Sequence, residues 1–234
     1  MGYLRLLRGR LILLSFAISS LLFVLFPAID LGISRMLFDD GLFLPANWAT
    51  FAHDSVPYFL GVSLSSISGL YLYNRVFGRG LCGIDGKRVS YLLLVLVLGA
   101  GLVVNGILKD DFGRARPRDV EEFGGSKHFT PAFVISQECD DNCSFSSGDG
   151  AGAFFALALA LALGRKRAVL VAAVSYGVVV SSSRVATGAH FFSDSVVSFF
   201  VMLISADVLF HYLVLPEAEP APAAAWRTCP PLPD

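Results

Sequence analysis

SYLLLVLVLGAGLVVNGIL, residues 90–108, runs straight into KDDFGRARP, residues 109–117. The first stretch has nineteen residues and no charge, close to the ~20 apolar residues that a helix needs to cross the hydrocarbon core of a bilayer. The second places Lys109, Arg114 and Arg116 just past its end. The junction reads as a membrane helix whose end presents cations at one face.

Composition extends that reading to the whole chain. Mean hydropathy is +0.65, with 55% hydrophobic and 16% charged residues over 234 positions. A soluble domain of this size needs far less apolar content. Five further runs have the length and composition of spans: 11–29, 52–73, 147–163, 168–183 and 190–215. The expected fold is all-α, a bundle of six transmembrane helices. A basic start followed by an apolar run also fits a signal peptide, but the run is long and no small-x-small cleavage site follows it.

Lys and Arg of the short connections set the orientation. Arg5, Arg8 and Arg10, then Arg75, Arg79, Lys87 and Arg88, then Arg165, Lys166 and Arg167 all fall on one side of a six-helix layout. That side is expected to be cytoplasmic, so segments 30–50, 109–146 and 184–189 face outward. Residues 1–215 are expected to form one transmembrane domain. Residues 216–234 (PEAEPAPAAAWRTCPPLPD) are expected to be a disordered cytoplasmic tail, being Pro- and Ala-rich with little to bury. Cys82 and Cys229 fall on the cytoplasmic side, whereas Cys139 and Cys143 share the outer loop, where a disulfide can persist if the turn permits it.

The outer face holds Lys109, Arg114, Arg116, Arg118 and Arg184 close to helix ends. Either they bind an anion, or Asp110, Asp111, Asp119, Glu121 and Glu122 neutralise them as solvated pairs. Motif spacing favours the anion. KDDFGRARP (109–117), FSSGD (145–149) and SRVATGAHFFSD (183–194) resemble the three signature motifs of the type 2 phosphatidic acid phosphatase (PAP2) superfamily. That superfamily includes bacterial lipid phosphatases and soluble vanadium haloperoxidases. Its pattern is Lys, six residues, Arg-Pro; then Pro-Ser-Gly-His; then Ser-Arg, five residues, His, three residues, Asp. The first and third are complete here. The middle one departs twice, with Ser146 where Pro is usual and Asp149 where His is usual.

The residues carry their own chemistry. His190 and Asp194 stand four apart at the expected start of the last helix, on one face. A carboxylate on one imidazole nitrogen leaves the other free to attack. A phosphoryl group in flight needs fixed cations and backbone amides, and Lys109, Arg116 and Arg184 are the natural cations. Ser147 and Gly148 open the fourth span, where free N–H groups and the helix dipole favour an anion. Gly148 permits close approach of the backbone.

The resemblance implies a metal-free phosphomonoester hydrolase of the bacterial inner membrane, multi-pass, with its site facing the periplasm and a phosphohistidine on His190. It also implies that Asp149 takes over the proton donation that the usual histidine performs. The expected partners are a membrane lipid phosphate and the bilayer, with no cofactor and no nucleic acid. Lipid A leads the candidate substrates, ahead of undecaprenyl diphosphate and phosphatidylglycerophosphate. Two alternatives share the motifs: a phosphotransferase using a lipid diphosphate donor, and a non-catalytic lipid-phosphate binder or transporter if Asp149 disables acid catalysis. Weaker expectations attach to His53 and Asp54 as a hydrated helix end ahead of a contact with a substrate headgroup, to Asp207 and His211 as a structural pair, and to His128 as solvated.

Overall fold

Pro27 breaks the first apolar run. It lacks the N–H that an α-helix interior requires, so the expected span at 11–29 resolves into α1 (Gly2–Leu25) and a short second helix, α2 (Ala28–Met36). The structure is a computed structural model and describes residues 2–44, 47–164 and 166–215; the tail expected at 216–234, Cys229 and Arg165 lie outside the described residues. After α2 comes a two-stranded hairpin, β1 (Phe38–Asp39) and β2 (Leu42–Phe43), with Phe38 opposite Phe43. The remaining helices are α3 (Asn47–Phe77), α4 (Gly86–Lys109), α5 (Gly148–Ala162), α6 (Arg167–Ala186) and α7 (Phe192–Val214).

Among the described residues, five helices are long and apolar enough to cross a membrane: Leu7–Leu25 within α1, and α3, α4, α6 and α7. The expected span at 147–163 is the shorter helix α5, only fifteen residues, twelve of them buried. Its sequence explains its place. Gly150, Gly152 and a run of alanines leave little side chain in the way, so neighbouring helices close in on it. A β-carbon at Gly152 would lie 2.7 Å from a Val56 methyl of α3. Gly177 of α6 returns the favour, since a β-carbon there would fall inside the Phe154 ring. α5 is thus the axis of the bundle, and α1 and α3 keep large apolar side chains such as Leu14, Leu21, Phe51 and Val62 on the outside.

From Val95 to Lys109, α4 adopts wide π-type turns. The Asn105 side-chain amide donates to the carbonyl of Ala100, five residues back, at 2.7 Å. A wide turn disturbs the regular backbone ladder, and this side chain takes one of its carbonyls. Asn105 Oδ1 also lies 2.8 Å from where a β-carbon at position 148 would be. The contact brings the end of α4 to the start of α5. Asp207, expected to pair with His211, instead meets Arg8 of α1 in an ion pair. A guanidinium, always charged and presenting a fork of N–H donors, is a strong partner for a carboxylate.

Candidate active site

The three motifs converge at one end of the bundle. Ser147 is the N-cap of α5, its hydroxyl accepting from Gly150 N–H at 3.1 Å. That leaves the N–H groups of Gly148 and Asp149 on the open first turn, where the helix favours an anion. Lys109 ends α4 beside them, its Nζ 3.6 Å from a β-carbon built on Gly148. Any residue but glycine at 148 would push into Asn105 and crowd the lysine.

Arg116 lies on the loop after α4. Its Nε and Nη2 donate to the Asn142 carbonyl at 3.1 and 2.6 Å. Burial lowers its pKa from the ordinary guanidinium value, with the charges of Arg118 and Arg184 pushing the same way. A guanidinium remains charged at any physiological pH nonetheless. Asn142 sits in a small ring closed by the Cys139–Cys143 disulfide. The next residue, Ser144, donates its backbone N–H to Arg114 O at 2.8 Å. The disulfide ring therefore fixes the loop that aims Arg116.

His190 precedes α7 rather than lying on it, because Phe191 has an extended backbone and caps the helix. The helical i, i+4 geometry expected for His190 and Asp194 does not apply here. His190 Nδ1 lies 2.7 Å from the Ser144 carbonyl and 3.7 Å from Asp194 Oδ2. A carbonyl only accepts, so Nδ1 carries the proton and Nε2 keeps its lone pair. The imidazole is 1% exposed. Burial lowers its pKa below the ordinary 6.5 against the opposing pull of Asp194, which keeps the ring neutral.

Asp194 is engaged elsewhere as well. Its Oδ2 accepts from Ser144 Oγ at 2.5 Å and from Phe191 N–H at 2.8 Å, and its Oδ1 accepts from Arg114 Nη1 at 2.6 Å. Its place near a helix end puts Arg114 among the outer-face cations expected to bind an anion, and the structure removes it from that group. It is 1% exposed, clamped between Asp194 and Asp30 of α2, with Nη2 2.8 Å from Asp30 Oδ2. Its Nε donates to the Thr130 carbonyl at 2.8 Å, and its Cζ lies 4.2 Å from the centre of the Phe191 ring. Asp30 further accepts from Ser193 N–H and Oγ. This buried network locks α2, the α4–α5 loop and the start of α7 together beneath His190. Sequence reading missed Asp30 and Ser193, since no local pattern links them to Arg114.

Asp149 Oδ2 lies 3.0 Å from Arg184 Nε and 3.3 Å from Nδ1 of His53 on α3. His53 is thus part of the site, not a merely hydrated helix end. Ser146, where the superfamily pattern has proline, is wholly buried, its hydroxyl without a hydrogen-bond partner among the described residues. Beside the charged cluster an apolar cavity of about 560 Å³ opens between α2, α3, α6 and α7, lined by Ile33, Trp48, Val178, Ser181, Phe192 and Val196 among others.

Comparison with known proteins bears on this arrangement. Residues 90–215 match the model of the PAP2 superfamily. The chain is 39% identical over 127 residues to a protein of Francisella tularensis subsp. novicida named lipid A 4'-phosphatase, the aligned part being 53% of this chain and 57% of that one. It is 33% identical over 135 residues to a Rhizobium leguminosarum protein of the same name, covering 57% of each chain. The chain thus spans just over half the length of these relatives. In solved structures it resembles a transmembrane PAP2-type phosphatidylglycerolphosphate phosphatase from Bacillus subtilis, with a TM-score of 0.50 and 20% identity over 87% of this chain and 94% of that one. That likeness concerns the fold. Five helices of membrane-crossing length and these relatives make it a multi-pass membrane protein. The matched segment covers more than half of its length and contains all three convergent motifs, so the chain belongs to the PAP2 superfamily.

Proposed function

We propose that this protein is a membrane lipid phosphatase that removes a phosphomonoester from lipid A at the periplasmic face of a bacterial inner membrane. The observation that carries the reading is His190, buried and neutral, its Nδ1–H committed to a backbone carbonyl and its other nitrogen left as a nucleophile. Lys109, Arg116 and Arg184 and the first turn of α5 cradle the phosphate, spreading positive charge over the oxygens that become most negative in flight. His190 Nε2 attacks phosphorus, the sugar oxygen leaves, and water then hydrolyses the phosphohistidine. Asp194 and the Ser144 carbonyl hold the imidazole throughout. Asp149 stands at the leaving-group side, where the superfamily has its proton-donor histidine. No metal is required, because the three cations supply the charge.

Lipid A is the favoured substrate because the relatives at 33–39% identity carry that activity in their names. The apolar cavity beside the cations lets an acyl chain stay in an apolar environment while the phosphate meets the site. Phosphate release from lipid A, undecaprenyl diphosphate and phosphatidylglycerophosphate, with chelator present, tests the proposal. Release from lipid A first, abolished in His190→Ala, is the expected result. Release by His190→Ala at the wild-type rate contradicts it. Product analysis with added acceptor lipid separates hydrolysis from phosphoryl transfer.

A further inference from the structure

Asp149 replaces the histidine that serves as acid elsewhere in the superfamily, and the structure supplies an imidazole from another helix at that point. We propose that His53 is the general acid of the reaction and that Asp149 is the carboxylate that positions it. The inference rests on the phosphatase reading above and names a residue that none of the three motifs contains.

The geometry begins with packing. His53 and Val56 are three apart on α3, and Asp149 and Gly152 are three apart on α5, so each pair shares a helix face. Gly152 has no side chain to hold Val56 off, and the outer end of α3 closes onto the first turn of α5. Ser55 fixes the same turn of α3 to α6 through the Tyr176 hydroxyl at 2.9 Å. One turn above the Val56–Gly152 contact, His53 Nδ1 meets Asp149 Oδ2 at 3.3 Å.

Asp149 is turned toward a cation. Its Oδ2 also faces Arg184 Nε at 3.0 Å, and a carboxylate oxygen turned toward a guanidinium stands as an acceptor. The imidazole beside it has what is needed. Nδ1 is buried and faces the carboxylate without a hydrogen bond to it among the described residues, yet the side chain as a whole is 42% exposed, so the Nε2 edge is the accessible one. A carboxylate facing Nδ1 sets the orientation in which the ring presents Nε2. The charged groups around it are Asp149 of α5, Arg184 of α6 and, next along α3, Asp54.

The proton bookkeeping closes. The P–N bond to His190 Nε2 forms as the P–O bond to the leaving group breaks, and His53 gives its Nε2 proton to that oxygen. In the second step water attacks phosphorus, the P–N bond breaks, and the proton lost by water returns to His53 Nε2. The acid of the first half is the base of the second.

The test compares His53→Gln with wild type on two substrates: an alkyl phosphate, whose leaving oxygen must be protonated, and p-nitrophenyl phosphate, whose leaving group needs little help. The expected result is a fall in kcat of roughly 10²–10⁴-fold on the alkyl phosphate, a much smaller fall on the aryl one, and loss of the limb along which kcat declines as pH rises. Placing Asp149→His in the His53→Gln background returns the imidazole to α5 and should restore part of the alkyl rate. Since His53 is half exposed at a helix end, the variant should unfold at the wild-type midpoint. Equal losses on both substrates, or a wild-type pH profile, overturn the assignment while leaving the phosphatase reading intact. No release from either substrate by the wild-type protein overturns both.

Discussion

Replacing Asp30 by alanine should unsettle the molecule more than its distance in sequence from every motif suggests. Its carboxylate is 1% exposed and accepts from Arg114 Nη2 at 2.8 Å, from Ser193 N–H at 2.9 Å and from Ser193 Oγ. Removing it leaves Arg114 buried with Asp194 as its remaining carboxylate, and leaves a backbone N–H unpaired at the start of α7. Breaking a buried pair by deleting one partner costs about 3–5 kcal/mol, which shifts the folding equilibrium by roughly two to four decades. Asp30→Asn keeps an acceptor for Ser193 and should cost less, nearer the ~1–3 kcal/mol of an imperfectly satisfied buried polar group. The assay is equilibrium unfolding in detergent, with phosphate release measured on the folded fraction. Combining Asp30→Ala with Arg114→Met removes the stranded cation and should cost less than the sum of the two single changes. Strict additivity, or an Asp30→Ala variant as stable as wild type, would refute the reasoning that this network ties α2 to α7.

Four further outcomes follow from the site. His190 acts as a neutral nucleophile and burial holds its pKa below 6.5, so kcat/KM, corrected for substrate ionisation, should not decline as pH falls through about 6.5. The same burial means that the unfolded chain takes up a proton which the folded one refuses, so stability should drop as pH falls below that value. Reducing Cys139–Cys143, or replacing either by serine, frees the loop that carries Asn142 O and Ser144 O, and phosphate release should fall on the order of tenfold or more, as misplaced catalytic groups do. Gly148→Val drives a β-carbon to within 2.8 Å of Asn105 Oδ1 and towards Lys109, so KM for the phosphate should rise while the unchanged Arg114 network keeps the fold.

The parts of this account that were readable in the sequence are the local ones. Apolar runs announced the spans, and Lys109, Arg116, Ser147, Gly148, Arg184 and His190 announced themselves through fixed spacings at span ends. Pro27 was visible too, and should have ended the first span at residue 25. Arg114 was misjudged because its partners, Asp30 and Asp194, lie 84 and 80 residues away. Spacing sees a cation; only tertiary contact shows that it is already neutralised. His53 reads in the sequence as a hydrated helix end or a headgroup contact for the same reason, since its link to Asp149 comes only from the glycine-mediated approach of α3 and α5. The i, i+4 argument for His190 and Asp194 assumed that the helix had started, whereas Phe191 is still extended.

The most direct test of the central claim is to find where the phosphoryl group rests. Wild-type protein mixed with lipid A phosphate, quenched in alkali within one turnover and digested, should carry phosphate on His190 by mass spectrometry, and His190→Ala should carry none. Steady phosphate release with no phosphorylated peptide in the wild type, or with the phosphoryl group on another residue, would contradict the assignment of His190 as the nucleophile.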